Sequence, residues 1–229
     1  LLNSSDENNI KNTYIINNNE SGIYIIDSRI NNLSNVTSAM NLRYGIYLKS
    51  SSENKIINSN PIINTEHGIF LDDSSYNSII QNTIEYNGYK IGLIGANIFV
   101  EGESQYNRIE SNSLRDYSLN HTAGIIVNSD NNQILNNEIV TNAEGITIGG
   151  NNNKIWYNNF VQNVLQASDF GSNSWDDGTL GNYWSDFDEV SEGCNDVNQN
   201  NICDSGRFIS GGSNTDNFPS NLRFPFLGS

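Results

Sequence analysis

The chain repeats itself. A short apolar word returns as Gly22-Ile-Tyr-Ile-Ile26, Gly45-Ile-Tyr-Leu48, Gly68-Ile-Phe-Leu71, Asn97-Ile-Phe-Val100, Gly124-Ile-Ile-Val127 and Gly145-Ile-Thr-Ile148, with starts 23, 23, 29, 27 and 21 residues apart. Self-similarity at this period marks a stacked-repeat architecture. A second word, Asn-x-Ile-x-x-Asn-x-Ile, follows each start by eight to ten residues, cleanly at Asn77–Ile84, Asn107–Leu114, Asn132–Ile139 and Asn153–Phe160. Looser copies begin at Asn8, Asn31 and Asn54. Each period offers three short apolar segments separated by Asn and Gly, none long enough for a helix of about ten residues.

A unit of about 23 residues cannot bury its own apolar face. Stacking such units about 4.8 Å apart places Ile on Ile and pairs every strand edge but the last. The expected fold is therefore all-β: a right-handed single-stranded parallel β-helix of six or seven coils, with an irregular C-terminal cap. An antiparallel sandwich would instead show tight Asn-Gly hairpins and no uniform period. Composition agrees, because about a fifth of the residues are Asn and about an eighth Ile, which suits neither a helical bundle nor disorder. The recurrent Gly, or Asn97, before each first strand predicts a corner with positive φ. The second Asn of the word (Asn82, Asn112, Asn137, Asn158) predicts a ladder of stacked amides.

Residues 1–163 are assigned to the repeats and 164–229 to a cap packed on them. Eleven basic against 26 acidic residues give a net charge of −15. That charge repels phosphate backbones and anionic lipid surfaces, so nucleic acid is not an expected partner. No apolar run approaches the about 18 residues of a membrane span. Residues 1–7 contain no amphipathic capping helix, so the expectation is that this end meets an upstream domain or associates with another copy.

The repeat over residues 8–163 resembles NosD-like right-handed parallel β-helix proteins, whose repeats are also described as carbohydrate-binding and sugar-hydrolase repeats. The stretch Asn173-Ser-Trp-Asp-Asp-Gly-Thr-Leu-Gly-Asn-Tyr-Trp-Ser-Asp-Phe187, an Asp/Asn-rich run, and Gly211-Gly-Ser-Asn-Thr-Asp-Asn-Phe-Pro219 resemble the terminal module of archaeal cell-surface members. The resemblance implies an extracellular or cell-surface protein. It also raises copper handling, but the histidines are only His67 and His121 and Met40 is the single methionine, a thin supply of soft ligands.

In the cap, Trp175, Tyr183, Trp184, Phe187, Phe218, Phe224 and Phe226 are expected to close the open end of the solenoid, whose last coil would otherwise expose its interior. Asp196, Asn198, Asn200, the carbonyl of Ile202 and Asp204 fall on the 1, 3, 5, 7, 9 spacing of a calcium loop. The segment is similar to EF-hand-type and dockerin-type loops, which makes calcium the expected cofactor. It departs from them with Asn201 at position 6 and Arg207 at position 12, so a further ligand would have to come from Asp186, Asp188 or Asp216. Cys194 and Cys203 bracket this loop. A disulfide is favoured over a soft-metal site, which would need further Cys, His or Met.

For chemistry, the insertions between Tyr86 and Asn97 and between Asp116 and Ala123 are where a groove wall would grow. Near them in register lie Glu66, His67, Asp72, Asp73, Glu101, Glu103, Arg115, Asp116 and His121. Glycosidases need two carboxyl groups about 5–9.5 Å apart, and Asp72 with Glu101, equivalent on successive coils, is the candidate catalytic pair. Arg115 or Lys90 is a candidate base for a lyase. No nucleophile elbow or phosphate-binding glycine loop is present. The sequence thus points to an extracellular structural or adhesive module that binds polysaccharide or cell-envelope glycan. A polysaccharide lyase or glycoside hydrolase is the alternative, and a copper accessory role comes last.

Overall fold

The computed structural model describes residues 1–89, 95–116 and 122–226. The chain winds as a right-handed parallel β-helix. Eight strands form its first face, in the order Leu2–Asn3, Ile23–Ile26, Ile46–Lys49, His67–Asp72, Gly95–Glu101, Thr122–Val127, Glu144–Ile148 and Leu165–Asp169, every neighbour parallel. The helix therefore has about eight turns, where six or seven were expected. Leu2–Asn3 and Leu165–Asp169 add rungs whose sequences lack the repeated word, because backbone pairing does not require it. The other two faces share one 13-stranded sheet. They join because the strand Asn32–Ala39 runs unbroken across both, pairing with Lys55–Ile57 and with Asn60–Ile62.

The interior follows from the alternation of each short strand. Ile25, Leu48, Leu71, Val100, Val127 and Ile148 stack from the first face, and Leu33, Ile56, Ile79, Ile109, Ile134 and Ile155 from the second, all essentially without solvent exposure. Each such side chain contributes roughly 1.5–3 kcal/mol of burial.

Asparagine ladders line the inner corners. Asn82 donates to Asn112, Asn112 to Asn137, Asn137 to Asn158 and Asn158 to Asn182, through side-chain amides at 2.9–3.0 Å. This is the expected ladder. A second runs from Asn8 through Asn31, Asn54, Asn77, Asn107, Asn132 and Asn153 to Asn173, the Asn132 rung being made by its backbone N–H to the Asn153 side-chain oxygen. A third links Asn18, Asn41, Asn64 and Asn87. Asn87 then donates to Asn97, and Asn97 reaches Asn142 at 3.4 Å.

That contact corrects the reading of the repeated glycine. Positive φ is found at Gly88, Gly102, Gly178, Gly193 and Gly211, and at none of Gly22, Gly45, Gly68, Gly124 or Gly145. These word-opening glycines are required by close approach: a Cβ on Gly68 would lie 2.6 Å from the carbonyl of Asn97, and one on Gly124 2.5 Å from that of Gly145. Asn97 takes the position to supply a ladder amide where the inserted loops interrupt the row, and not to adopt a left-handed corner. The left-handed residues are instead turn residues such as Ser50, Gln81, Ser111 and Tyr157.

The C-terminal end is closed by indoles. Trp184 stacks on Phe160 at 4.3 Å and Trp175 lies 6.3 Å from the same ring, both fully buried. A buried indole N–H needs an acceptor, and each has a carboxylate: Trp175 donates to Asp169 at 2.7 Å, Trp184 to Asp216 at 2.9 Å. Phe187 packs against this cluster. Phe224 differs from the expectation: it packs edge-on against Tyr157, on the flank of the helix. Among the described residues no helix is long and apolar enough to cross a membrane.

Candidate functional site

Register places the outward side chains of the first face in three columns. One runs Tyr24, Tyr47, Phe70, Phe99, Ile126, Thr147 and Ser168. Its first four rings stack at coil spacing, with centroids 4.6, 4.9 and 5.3 Å apart. A second column holds Tyr44, His67, Ala96, Ala123, Glu144 and Leu165, and Tyr44 stacks on His67 at 5.4 Å. The third carries Lys49, Asp72 and Glu101.

Asp72 and Glu101 are direct register partners on adjacent strands, so the expected carboxylate pair is brought together. Asp72 is held in place: the Tyr47 hydroxyl donates to it at 2.5 Å and Lys49 lies 3.4 Å away. Burial, followed by the negative charges of Asp72 and Asp73, raises the Glu101 pKa. Two neighbouring carboxyls in unlike environments can divide acid and base roles. Burial, then the hydrogen bond to Asp72, likewise pushes the Tyr47 phenol up. His67 is nearly buried and drops to about 4, chiefly through desolvation and then through Arg43. Its Nδ1 accepts the Ala96 amide at 3.2 Å, so at neutral pH the imidazole is uncharged and carries its proton on Nε2.

Other candidates are dispersed. Glu66 pairs with Arg43. Asp73 accepts the Glu103 amide, and the Glu103 carboxylate accepts from Gln105. Arg115 lies on the third face beside Glu85. Asp116 is buried. Lys90 and His121 lie outside the described residues.

Past Phe99 the outward side chains shrink, and the face opens into a hollow of about 600 Å³. Its floor is Ala123, Ile126, Ala143 and Thr147, and its walls are Phe99 and Phe170. The signal was present in the third letter of each repeated word, where an aromatic run gives way to Ile and Thr. Reading only the buried letters misses it.

In the cap, Cys194 and Cys203 form a disulfide with Cα atoms 4.9 Å apart. The intervening loop folds on its own oxygens. Asp196 accepts the amides of Asn200 and Asn201 at 3.0 and 2.8 Å, Asn200 that of Ile202 at 2.9 Å, and Asp204 that of Val197 at 2.9 Å. Asn201 has φ +67°, the turn that a calcium loop assigns to glycine. The proposed supplementary ligands are engaged elsewhere: Asp186 pairs with Arg207, Asp188 accepts from Tyr183, and Asp216 accepts from Trp184. Among the described residues no group of three or more His, Cys, Asp or Glu could hold a metal ion.

Against known proteins, the family model described as periplasmic copper-binding protein (NosD) matches residues 1–118 and 95–189. No curated protein sequence matches the chain. Several solved structures share the fold. A double mutant of the periplasmic alginate epimerase AlgG aligns with TM-score 0.59 and 20% identity, over 72% of this chain and 38% of its own. The A-module of the mannuronan C-5 epimerase AlgE4 of Azotobacter vinelandii gives 0.54 and 16%, over 78% and 52%. Pectate lyase Pel9A gives 0.50 and 16%, over 92% and 69%. The chain thus spans about two fifths of the length of the alginate epimerase. These identities establish shared architecture only.

Proposed function

We propose that this chain, which belongs to the NosD family, is an exported glycan-holding module, structural or adhesive in role, with a calcium-stabilised cap. The observation that carries the reading is the line along the first face, where the aromatic column ends at Phe99 and opens directly into a hollow. Several β-helix neighbours bear the names of polysaccharide-modifying enzymes, and one is a phage tailspike protein. A periplasmic or cell-surface location is consistent with the family description and with the disulfide, a bond that persists in oxidising compartments.

The cap loop offers Asp196, Asn198, Asn200, the Ile202 carbonyl and Asp204, an all-oxygen set suited to a hard cation. It falls one short of the six to eight ligands calcium takes, a place that water can fill. Among the described residues copper is less well served. Both cysteines are spent in the disulfide, His67 turns Nδ1 onto a backbone amide, and Met40 lies on the surface.

A polysaccharide array and pull-down, with and without calcium, tests the main reading. Retention of a glycan supports it, and failure to retain any polysaccharide at either calcium level would sink it. The specific observation favouring a second reading, a lyase or glycoside hydrolase, is the raised Glu101 beside the anchored Asp72. Release of reducing or unsaturated sugar that stops in Asp72→Asn would establish that activity. No release from any retained glycan would leave the module non-catalytic.

A further inference from the structure

The hollow past Phe99 has a chemistry of its own. Its volume of about 600 Å³ sits within the about 300–1,000 Å³ usual for small-molecule sites. The aromatic Phe99 and Phe170 and the aliphatic Ile126 and Ala123 give it apolar surfaces suited to the C–H face of a sugar ring. Thr147 and Ser168 bring hydroxyls, Asn128 an amide and Glu144 a carboxylate. Such a mixture of flat apolar surface and a few convergent polar groups suits a pyranose better than a wholly apolar ligand.

A second, independent observation points to a ligand. Thr122 also lines the hollow, is only 2% exposed, and its Oγ1 has no hydrogen-bond partner. Buried hydroxyls are normally satisfied, and leaving one bare is costly. A bound hydroxyl group would satisfy it.

Charge then selects among sugars. Among the described residues no Lys, Arg or His lines the hollow, and the one charged lining residue is Glu144, whose carboxylate accepts from the Thr147 hydroxyl. Glu101 stands on the Phe99 strand and Asp72 one coil before it, and the whole chain carries −15. A uronate would bring its carboxylate into this field with no cation among the described residues to receive it.

We propose that the hollow is a binding subsite for a single uncharged or amine-bearing sugar unit of a glycan, and that it rejects uronates. This rests on the glycan-holding reading above and goes further by naming the position and the sugar class. It separates this chain from neighbours named for alginate and pectate, which are polyuronates.

The test is calorimetric titration of the full chain at low salt with four defined probes: N-acetylglucosamine, glucosamine, mannuronate and galacturonate oligomers. Thr147→Tyr fills the hollow from an outward position and extends a column that already accepts tyrosine at two rungs, so the fold should tolerate it. Thr122→Val removes the bare hydroxyl and keeps the shape. The expected result is binding of an N-acetylglucosamine or glucosamine oligomer at least about tenfold tighter than either uronate. Thr147→Tyr should abolish it at unchanged melting temperature, and Thr122→Val should weaken it about two- to tenfold. Probe binding untouched by Thr147→Tyr overturns the subsite while leaving the glycan reading standing. Tighter binding of a uronate overturns the sugar class. If none of the four binds, the subsite falls; the polysaccharide array then decides separately whether the glycan reading falls with it.

Discussion

Replacing Asn112 with alanine should cost far more than replacing Asn8, although both belong to the same kind of ladder. Asn112 is fully buried. Its Oδ1 accepts the backbone and side-chain amides of Asn82 at 3.0 and 2.9 Å, while its Nδ2 donates to the Ile79 carbonyl at 2.9 Å and to Asn137 at 3.0 Å. Alanine would remove all four bonds. The Asn82 side chain keeps its bond to Ile56 and the Asn137 oxygen keeps the Asn112 amide, but the Asn82 backbone N–H loses its partner. A stranded buried amide costs about 1–3 kcal/mol, and the lost bonds and small void add to it, for a total of about 3–5 kcal/mol. Asn8 stands on the first rung and is only half buried. It donates to Asn31, Ser5 and Asp6, and the Asn31 oxygen retains the Asn8 amide after truncation, so Asn8→Ala should cost about 1 kcal/mol. Urea unfolding of the two variants measures both. Equal losses would refute the reasoning, because they would mean that each asparagine acts on its own turn and not through the coil beyond it.

Gly68→Ala should destabilise by about 1–3 kcal/mol, since its Cβ would meet Ile84 at 2.5 Å and the Asn97 carbonyl at 2.6 Å; a melting temperature equal to wild type would show that the coils can part. Asp216 is pushed up to about 7 from 3.8, above all by burial, against the pull of the Asn182, Trp184 and Phe218 donors. A carboxyl whose folded pKa is raised binds more protons in the folded state, so its contribution is full below about pH 4 and is lost as pH rises to about 7. Melting curves across that window should show the decline in wild type and lose that component in Asp216→Asn. Calcium should raise the melting temperature by mass action, and both Asp196→Ala and Asp204→Ala should abolish the rise; a rise that persists in both would place any calcium elsewhere. Reducing the Cys194–Cys203 bond, which closes a loop with a sequence separation of nine, should destabilise the cap by about 2–3 kcal/mol, read as a lower urea midpoint.

The coil architecture was legible because a solenoid writes each turn into the chain locally: an Ile, Leu or Val at the inward positions and an Asn at most inner corners recur at the coil period. The pairing of Asp72 with Glu101 was legible for the same reason, since counting along the repeat is equivalent to moving one strand along the sheet. The glycine that opens each word shows where local reasoning stops. Its meaning lies in the carbonyl of the neighbouring coil, 2.6 Å from where a Cβ on Gly68 would stand, and no property of the glycine itself reveals that distance. Asn97 is another case, serving a row of amides whose other members lie 10 and 45 residues away.

The sequence by itself determined the stacking direction, the buried rows and the two-carboxylate line, because these repeat with the period. Tertiary structure alone decided the hollow, the bare Thr122 hydroxyl and the allotment of Asp169 and Asp216 to buried indoles. Those depend on which outward side chains end a column, and on how an aperiodic cap folds back over the last coil, where contact is set by three-dimensional proximity and not by spacing along the chain.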